Sequence, residues 1–519
     1  MKFLKSNLLQ IILIGIVVFI AYGLTLKMYY WVDDWGLVFK MIFPQDAPSP
    51  SNFGAGIFGQ GAYRYNSTLF TLMYPLFGLN EKVYFTFALI QYFITSIFIY
   101  VLVSKLSKKK EVGLIAALIF SSGYFGSYAM YRLSNSYQLI ETALFLIVIV
   151  LTQVKYYESK QKKYYFLSLI LFTLGVELMF LRAHGMLPTV FAAAIIYGIS
   201  KYGKKIINTI IELAPYSLIY FFFYFIDRRA GVITSDPVTV EYLADFLNFL
   251  KNQPIASIST FILDFEALII PSPLINKIYY LSKLSSTISL SQFGALFGLG
   301  VFSIVFYLII RYRKNREKVL LIIFGLLWIV FNFIIYFLYD PRNDLPSNAR
   351  YLIPSAVGTA IFYSGIFSLI INKKLRYLSL VLFCGLLIYY SRAEQNIIIK
   401  YVSNPDKQGY SLLQEKVKDI DKDTLFLFDV IDDPHYINYI FGSVPQMGIP
   451  PLYGKNWEAK MAINVGDFIN RMVNGEASVY NFESFFYGVG GHTYTTDEVR
   501  ELLKNGKERL IVAKDINEA

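Results

Sequence analysis

The chain has 519 residues, 55% of them hydrophobic and only 16% charged, with a mean hydropathy of +0.47; this argues against a soluble globular protein and for a polytopic membrane protein. Its net charge of +11 resolves into +16 over residues 1–391 and −5 over residues 392–519, the latter holding 14 Lys and Arg against 19 Asp and Glu. The positive charge lies in short clusters between apolar runs, which is a topology signal and not the footprint of a nucleic-acid partner.

Runs long enough to span a membrane, about 20 residues each, fall in chain order at 8–28, 83–104, 112–130, 138–154, 165–181, 186–200, 207–226, 292–310, 319–338, 351–371 and 377–391, about eleven in all. Lys2 and Lys5 precede the first run and no small-x-small cleavage site follows it, so it reads as an uncleaved signal-anchor. Next comes YYWVDDWGLVFKM, residues 29–41, in which Asp33 and Asp34 sit among Tyr29, Tyr30, Trp31 and Trp35. A carboxylate pair at an interface tends to have one raised pKa. That suits a general base acting on an acceptor hydroxyl, or a divalent cation site; the plainer alternative is a solvated turn. STLFTLMYPLFG, residues 67–78, is apolar but short and contains Pro75, as an interfacial or re-entrant helix would.

Basic residues recur in alternate loops: Lys2 and Lys5; Lys105 and Lys108–Lys110; Lys155, Lys160, Lys162 and Lys163; Lys201, Lys204 and Lys205; Arg311 to Lys318; and Lys373, Lys374 and Arg376. All fall on one side of the expected spans, which the positive-inside rule makes the cytoplasm, with the N-terminus inside and the C-terminus outside. Residues 29–82, 131–137, 182–185, 227–291, 339–350 and 392–519 are then extracytoplasmic. Arginine on that side is informative: Arg64, Arg132, and Arg182 with His184 in LRAHGMLP. Glu177 lies about one turn below Arg182, and an intramembrane carboxylate is costly unless paired; a structural Glu177–Arg182 pair is the plain reading. Glu141 and Glu212 read as packing or interface residues. In YDPRNDLPSNARYLIPS, residues 339–355, Arg350 and Tyr351 stand at the outer end of a span, where a guanidinium can hold a lipid phosphate or anchor the helix, with Arg342 a weaker version of the same idea.

From residue 392 the composition becomes that of a small soluble α/β domain. TLFLFDVIDD (424–433) and RLIVAK (509–514) read as strands, and TTDEVRELLKNG (495–506) as a helix capped by Thr496 and stopped at Gly506. Asp432, Asp433 and His435 read as loop polars. The single Cys384 excludes an internal disulfide and a cysteine metal cluster, and His184, His435 and His492 have no metal-ligand spacing. There is no P-loop, dinucleotide motif or nucleophile elbow, so an activated substrate would arrive on a lipid.

The layout over residues 1–391 resembles the GT-C superfamily of integral-membrane glycosyltransferases, which includes protein O-mannosyltransferases and bacterial enzymes using polyprenyl-phosphate sugars. YWVDDWGL resembles the family's first-loop acidic motif. YRYNSTLFTLMYPLFGL resembles the segment after it, with Arg64 where many members have Arg-Pro, and SNARYLIP resembles the late Arg-Tyr motif. LRAHGMLP stands where many relatives have a Ser-Lys-Glu-like triplet, and residues 392–519 match no functional motif of the family. The resemblance implies a membrane domain 1–391 with outer loops 29–82 and 227–291, and an extracytoplasmic domain 392–519. It implies an inverting transfer from a polyprenyl-phosphate-linked sugar to a hydroxyl on a glycan, lipid or protein acceptor outside a bacterial plasma membrane. Asp33 is the expected base, with Asp34 orienting the acceptor or a divalent cation, or the two roles exchanged. Arg350, Tyr351, Arg64 and Arg132 are expected at the lipid phosphate, and Arg182, His184 and Glu177 in the cavity. No nucleic acid and no cofactor beyond an optional divalent cation is expected. Two rivals stand beside this: an O-antigen polymerase or ligase using the 227–291 stretch with Arg228 and Arg229, and a non-catalytic polysaccharide or lipid transporter, which should show a repeat that the sequence lacks.

Overall fold

In hydrocarbon every backbone N–H and C=O must be satisfied within the segment, so apolar runs fold as helices. The computed structural model describes residues 2–31, 34–43, 64–179, 184–229, 247–282, 287–339, 352–429, 445–457, 460–464, 493–494 and 509–513. Its helices are α1 (Lys2–Tyr22), α2 (Asp34–Ile42), α3 (Arg64–Phe77), α4 (Glu81–Ser107), α5 (Lys110–Ser121), α6 (Leu133–Ser159), α7 (Lys162–Met179), α8 (Met186–Ala193) and α9 (Ile206–Arg229). There follow α10 (Pro254–Ala267), α11 (Ser272–Leu281), α12 (Leu290–Arg311), α13 (Arg316–Tyr339), α14 (Ile353–Leu369), α15 (Lys373–Ile398), α16 (Asn404–Lys416) and α17 (Pro445–Leu452). Strands β1 (Thr424–Asp429), β2 (Lys460–Asn464), β3 (Thr493–Tyr494) and β4 (Arg509–Ala513) complete the described elements.

Seven helical stretches among the described residues are long and apolar enough to cross a membrane: Asn7–Lys27, Glu81–Ser107, Ser136–Ser159, Ile206–Phe225, Gln292–Arg311, Arg316–Ile334 and Lys373–Lys416. Met186–Lys201 and Ile353–Leu369 are apolar but shorter. One expectation is corrected here. The run 112–130 is not one helix: α5 stops at Ser121, and Gly123 and Gly126 take positive φ (+79° and +74°) before a 3₁₀ turn at Ser127–Tyr131. Within the stretch expected as an outer loop at 227–291, Ser257–Ala267 and Ser272–Leu281 form a pair bent by 116° that qualifies as a span only when taken together. Pro271, which cannot donate a backbone hydrogen bond, stands at the break. The helix α15 also runs through residues 391–392, because Ala393, Glu394 and Gln395 favour helix as well as the apolar residues before them do.

The chain divides into two compact units. The first comprises Met1–Thr25, Thr86–Tyr131 and Asn135–Glu394. Here α14 is buried along nearly its whole length and packs on α13 and α5. Backbones come close: a Cβ on Gly358 would lie 2.7 Å from the Ile329 nitrogen, and one on Gly325 would lie 2.4 Å from the Phe362 nitrogen. Small residues allow such approach where lipid offers no hydrophobic drive between helices. Outward faces stay apolar, as Leu9 and Phe19 of α1, Leu218 and Phe222 of α9, and Leu382 of α15 show by their exposure.

The basic loops of this unit meet at one end. Lys105 pairs with Glu158, whose other oxygen accepts from Tyr202 at 2.9 Å. Glu317 lies 3.8 Å from Lys201 and 3.9 Å from Lys108, while Arg376 pairs with Glu111 at 2.7 Å. Tyr100, near the same end of α4, donates to Asn7 Oδ1 at 2.8 Å, so α1 begins there too. The exposed pair Lys108–Glu317 contributes only about 0–1 kcal/mol; such pairs mark the end and do not hold the bundle.

The second unit comprises Leu26–Phe85, Arg132–Ser134 and Gln395–Ala519. Its strands form a parallel sheet in the order β3-β2-β1-β4, with Leu425 of β1 opposite Lys460 on one side and Leu510 on the other. A central parallel strand is covered on both faces, which explains the unbroken apolar run TLFLF and the burial of Leu425 and Phe426. The strands expected at 424–433 and 509–514 are thus present, and the helix expected at 495–506 lies outside the described residues. The short apolar segment at 67–78 folds as α3 with Pro75 inside it.

Gly358→Leu is expected to destabilise the solubilised protein by about 1–3 kcal/mol, the usual cost of overpacking, whereas Lys108→Gln should shift it by less than about 1 kcal/mol. Thermal unfolding of the two variants checks this, and equal midpoints would contradict the packing described.

Candidate active site

The acidic motif of the first loop is held from both ends. Helix α2 starts at Asp34, whose backbone N–H donates to the Trp31 carbonyl at 3.1 Å. The Asp34 carboxylate turns away from its own helix. Its Oδ1 accepts the backbone N–H of Ser134 at 2.7 Å, across 100 residues of chain, and its Oδ2 lies 3.5 Å from the Trp31 N–H. Ser134 is in the first turn of α6, where N–H groups have no intrahelical partner and the helix dipole favours an anion. Asp34 therefore caps α6 from a distant part of the sequence.

Around this contact the site is dry. Asp34 is 1% exposed and Arg132 7% exposed. The Arg132 guanidinium lies 4.8 Å from the centre of the Trp31 ring, a cation–π arrangement. Burial pushes the Asp34 carboxyl up to about 6, against the Ser134 hydrogen bond and the Arg132 charge, which pull it down.

The aromatic residues of the motif are packed inside the unit. Trp35 lies 4.4 Å from Tyr410 of α16 and 5.3 Å from Tyr30 by ring centres, and all three are buried. Tyr29 donates its backbone N–H to Ser403 Oγ at 2.6 Å, and Lys407, which pairs with Glu81 at 2.7 Å, lies over its ring at 5.5 Å. Helix α2 also contacts α17. The first loop and the C-terminal residues are thus one packed body, a contact that no local pattern in the sequence announces.

Of the residues singled out by sequence, the structure brings Asp34 and Arg132 together. Asp33, Arg182, Arg350 and Tyr351 lie outside the described residues, as do Arg342, Asp432, Asp433 and His435. Arg64 begins α3, and its side chain is outside the described part. In the first unit, Glu177 is on α7, and His184 Nδ1 is bonded to the Tyr220 hydroxyl just before α8. Glu141 accepts from Gln91 at 2.7 Å, and Glu212 pairs with Lys204 at 2.5 Å. An apolar groove of about 390 Å³ runs between α8 and α13, lined by residues including Pro188, Phe191, Leu327 and Phe331.

Sequence reasoning passed over three acids. Asp264 and Glu266 are buried in the bent pair, and Glu394 accepts from Ser127 at 3.0 Å and Tyr131 at 3.3 Å. The available signal was an acid interrupting an apolar run, as in FILDFEALII. Among the described residues no group of three or more His, Cys, Asp or Glu side chains could hold a metal ion. Asp34 in particular turns its two oxygens toward the backbone N–H groups of Ser134 and Trp31.

No family model and no curated protein matches the sequence. Among solved structures, the chain is similar to the oligosaccharyltransferase of Archaeoglobus fulgidus. For the enzyme tethered with an acceptor peptide, identity is 13% and the TM-score 0.43, covering 85% of this chain and 64% of that one. For the apo form the values are 15%, 0.42, 84% and 64%. For the complex with an inhibitory peptide and a dolichol-phosphate they are 15%, 0.42, 85% and 64%. The chain spans about 64% of that enzyme's length.

Asp34→Ala would remove the buried acceptor of the Ser134 N–H, at a cost of about 1–3 kcal/mol. Asp34→Asn keeps an acceptor for Ser134 and should cost less. The native carboxyl holds its proton up to about pH 6 while the unfolded one releases it near 3.8. The native state therefore binds more protons in between, and stability should fall as pH rises across that window. Thermal midpoints from pH 4 to 7 should show this slope in the wild type and lose it in Asp34→Asn; the same slope in both would contradict the assignment.

Proposed function

We propose that this protein is an inverting glycosyltransferase of the GT-C type, moving a sugar from a polyprenyl-phosphate carrier to an acceptor hydroxyl on the extracytoplasmic side of a bacterial plasma membrane. The observation that carries the reading is the fixed Asp34–Ser134 contact with Arg132 beside it. A catalytic carboxylate has to be held within tenths of an ångström of its working position, and here Asp34, one member of the acidic pair, is bonded to the first turn of α6. The topology follows from the basic loops that share one end of the first unit, which the positive-inside rule assigns to the cytoplasm.

On this reading Asp33 is the general base. It takes the proton of the acceptor hydroxyl as that oxygen attacks the anomeric carbon, on the face opposite the phosphate. The bond from the anomeric carbon to the phosphate oxygen breaks, and its electron pair stays on the phosphate. Arg350, with Tyr351 and Arg64, neutralises the departing charge, a preorganised electrostatic role. Asp34 and Arg132 act as positioning residues, since both are buried and turned to α6 and Trp31. The apolar groove at Pro188 and Phe331 offers a dry surface for an isoprenoid chain.

Purified protein assayed with polyprenyl-phosphate sugars tests this. Asp33→Asn should lower transfer by about 10²–10⁴-fold, the usual worth of a general base, and Arg350→Gln should lower it as well. Asp34→Asn should retain more activity than Asp33→Asn. Full activity in Asp33→Asn would overturn the mechanism, and transfer from polyprenyl-diphosphate donors alone would shift the assignment to the polymerase or ligase class.

A further inference from the structure

A second charged site lies at the basic end of the first unit. A cavity of about 620 Å³ is lined by Lys109, Lys314, Arg316, Lys318, Lys373 and Arg376, together with Glu111 and Glu317. Its volume falls within the range of ligand sites, roughly 300–1,000 Å³. The two carboxylates leave most of its positive charge in place. Glu111 is committed to Arg376 at 2.7 Å and to the Tyr377 hydroxyl at 2.8 Å. Glu317 is drawn toward Lys201 and Lys108, neither of which lines the cavity.

The depth of the cavity distinguishes it from a solvated lysine face. Arg376 is 9% exposed, and its Nε has no hydrogen-bond partner among the described residues. Burial of this guanidinium in a low-dielectric site strengthens its attraction for an anion held in the cavity. Lys318 Nζ gives one bond, to the Ser368 carbonyl at 2.7 Å, out of three that an ammonium can make. Lys109, Lys314 and Lys373 are exposed around the mouth.

We propose that this cavity binds the phosphate of an anionic lipid headgroup, with Arg376 and Lys318 at its floor and Lys109, Lys314 and Lys373 at its rim. Fixed guanidinium and ammonium donors in a cleft are the chemistry that holds phosphate. A lipid is favoured over a soluble phosphate by the cavity's place. Lys318 and Arg376 stand at the starts of the spans Arg316–Ile334 and Lys373–Lys416, where headgroups lie. Beside Arg376 on α15, Leu375 and Leu378 are more than half exposed and continue the apolar surface along which acyl chains would run. The proposal does not depend on the glycosyl-transfer reading.

Binding of short-chain phosphatidylglycerol, phosphatidylcholine and pyrophosphate to the full-length protein in detergent, followed by native mass spectrometry and thermal shift, tests it. Phosphatidylglycerol should bind at least about tenfold more tightly than phosphatidylcholine. The double variant Lys314→Gln/Lys373→Gln should lose about tenfold of that affinity, with its lipid-free midpoint unchanged because both side chains are exposed. Arg376→Gln should lose more. Equal binding of the two lipids, or wild-type affinity in the rim variant, overturns the proposal. Stabilisation by pyrophosphate without any preference for phosphatidylglycerol overturns the lipid assignment in favour of a soluble phosphate.

Discussion

One hydrogen bond organises the second unit: the Ser134 N–H donated to the buried carboxylate of Asp34. An ion placed in an aromatic pocket without compensation costs several kcal/mol. Here the first turn of α6 supplies backbone N–H donors and a favourable dipole, and Arg132 adds a full positive charge nearby. The compensation is incomplete, which is why the carboxyl remains raised to about 6 and does not fall below its ordinary value. Because the partners come from residues 34 and 132–134, the loop after α1 cannot move without uncapping α6.

The aromatic residues around Asp34 serve the same end by a different force. Tyr30, Trp35 and Tyr410 are each buried; Tyr30 meets Trp35 edge to face and Tyr410 meets it tilted, so the rings contribute both area and geometry. This resolves the oddity of two adjacent carboxylates. A pair of like charges side by side is unfavourable if both are free, but one of them is bound to a helix terminus and shielded by a guanidinium. In the first unit the decisive term is close backbone approach at Gly325 and Gly358, and the many ion pairs at the basic end add little.

Hydropathy made seven of the eleven expected runs legible as membrane-length helices among the described residues, and short unbroken apolar runs made β1 and β4 legible, because both patterns are local. The break at Gly123 and Gly126 was hidden inside a mostly apolar run, where the positive φ of Gly123, Tyr124 and Gly126 ends the helix. The bent pair around Pro271 was hidden inside a stretch long enough to read as a loop. Asp34 could be named from its setting among aromatics, yet its role could not: a bond to a residue 100 positions away leaves no spacing to read. The packing of Trp35 on Tyr410 is of the same kind. Glu266, buried at the bend, carried a signal that was present and weaker than the paired acids.

The account's central claim is a division of labour, with Asp34 as the anchor and Asp33 as the base. The pH dependence of kcat/KM for Asp34→Asn in the transfer assay tests it most directly. The account predicts a lowered rate with the acidic limb of the profile still in place, because the titrating base is still there. Loss of that limb in Asp34→Asn, with the limb intact in Asp33→Asn, would contradict it and make Asp34 the base.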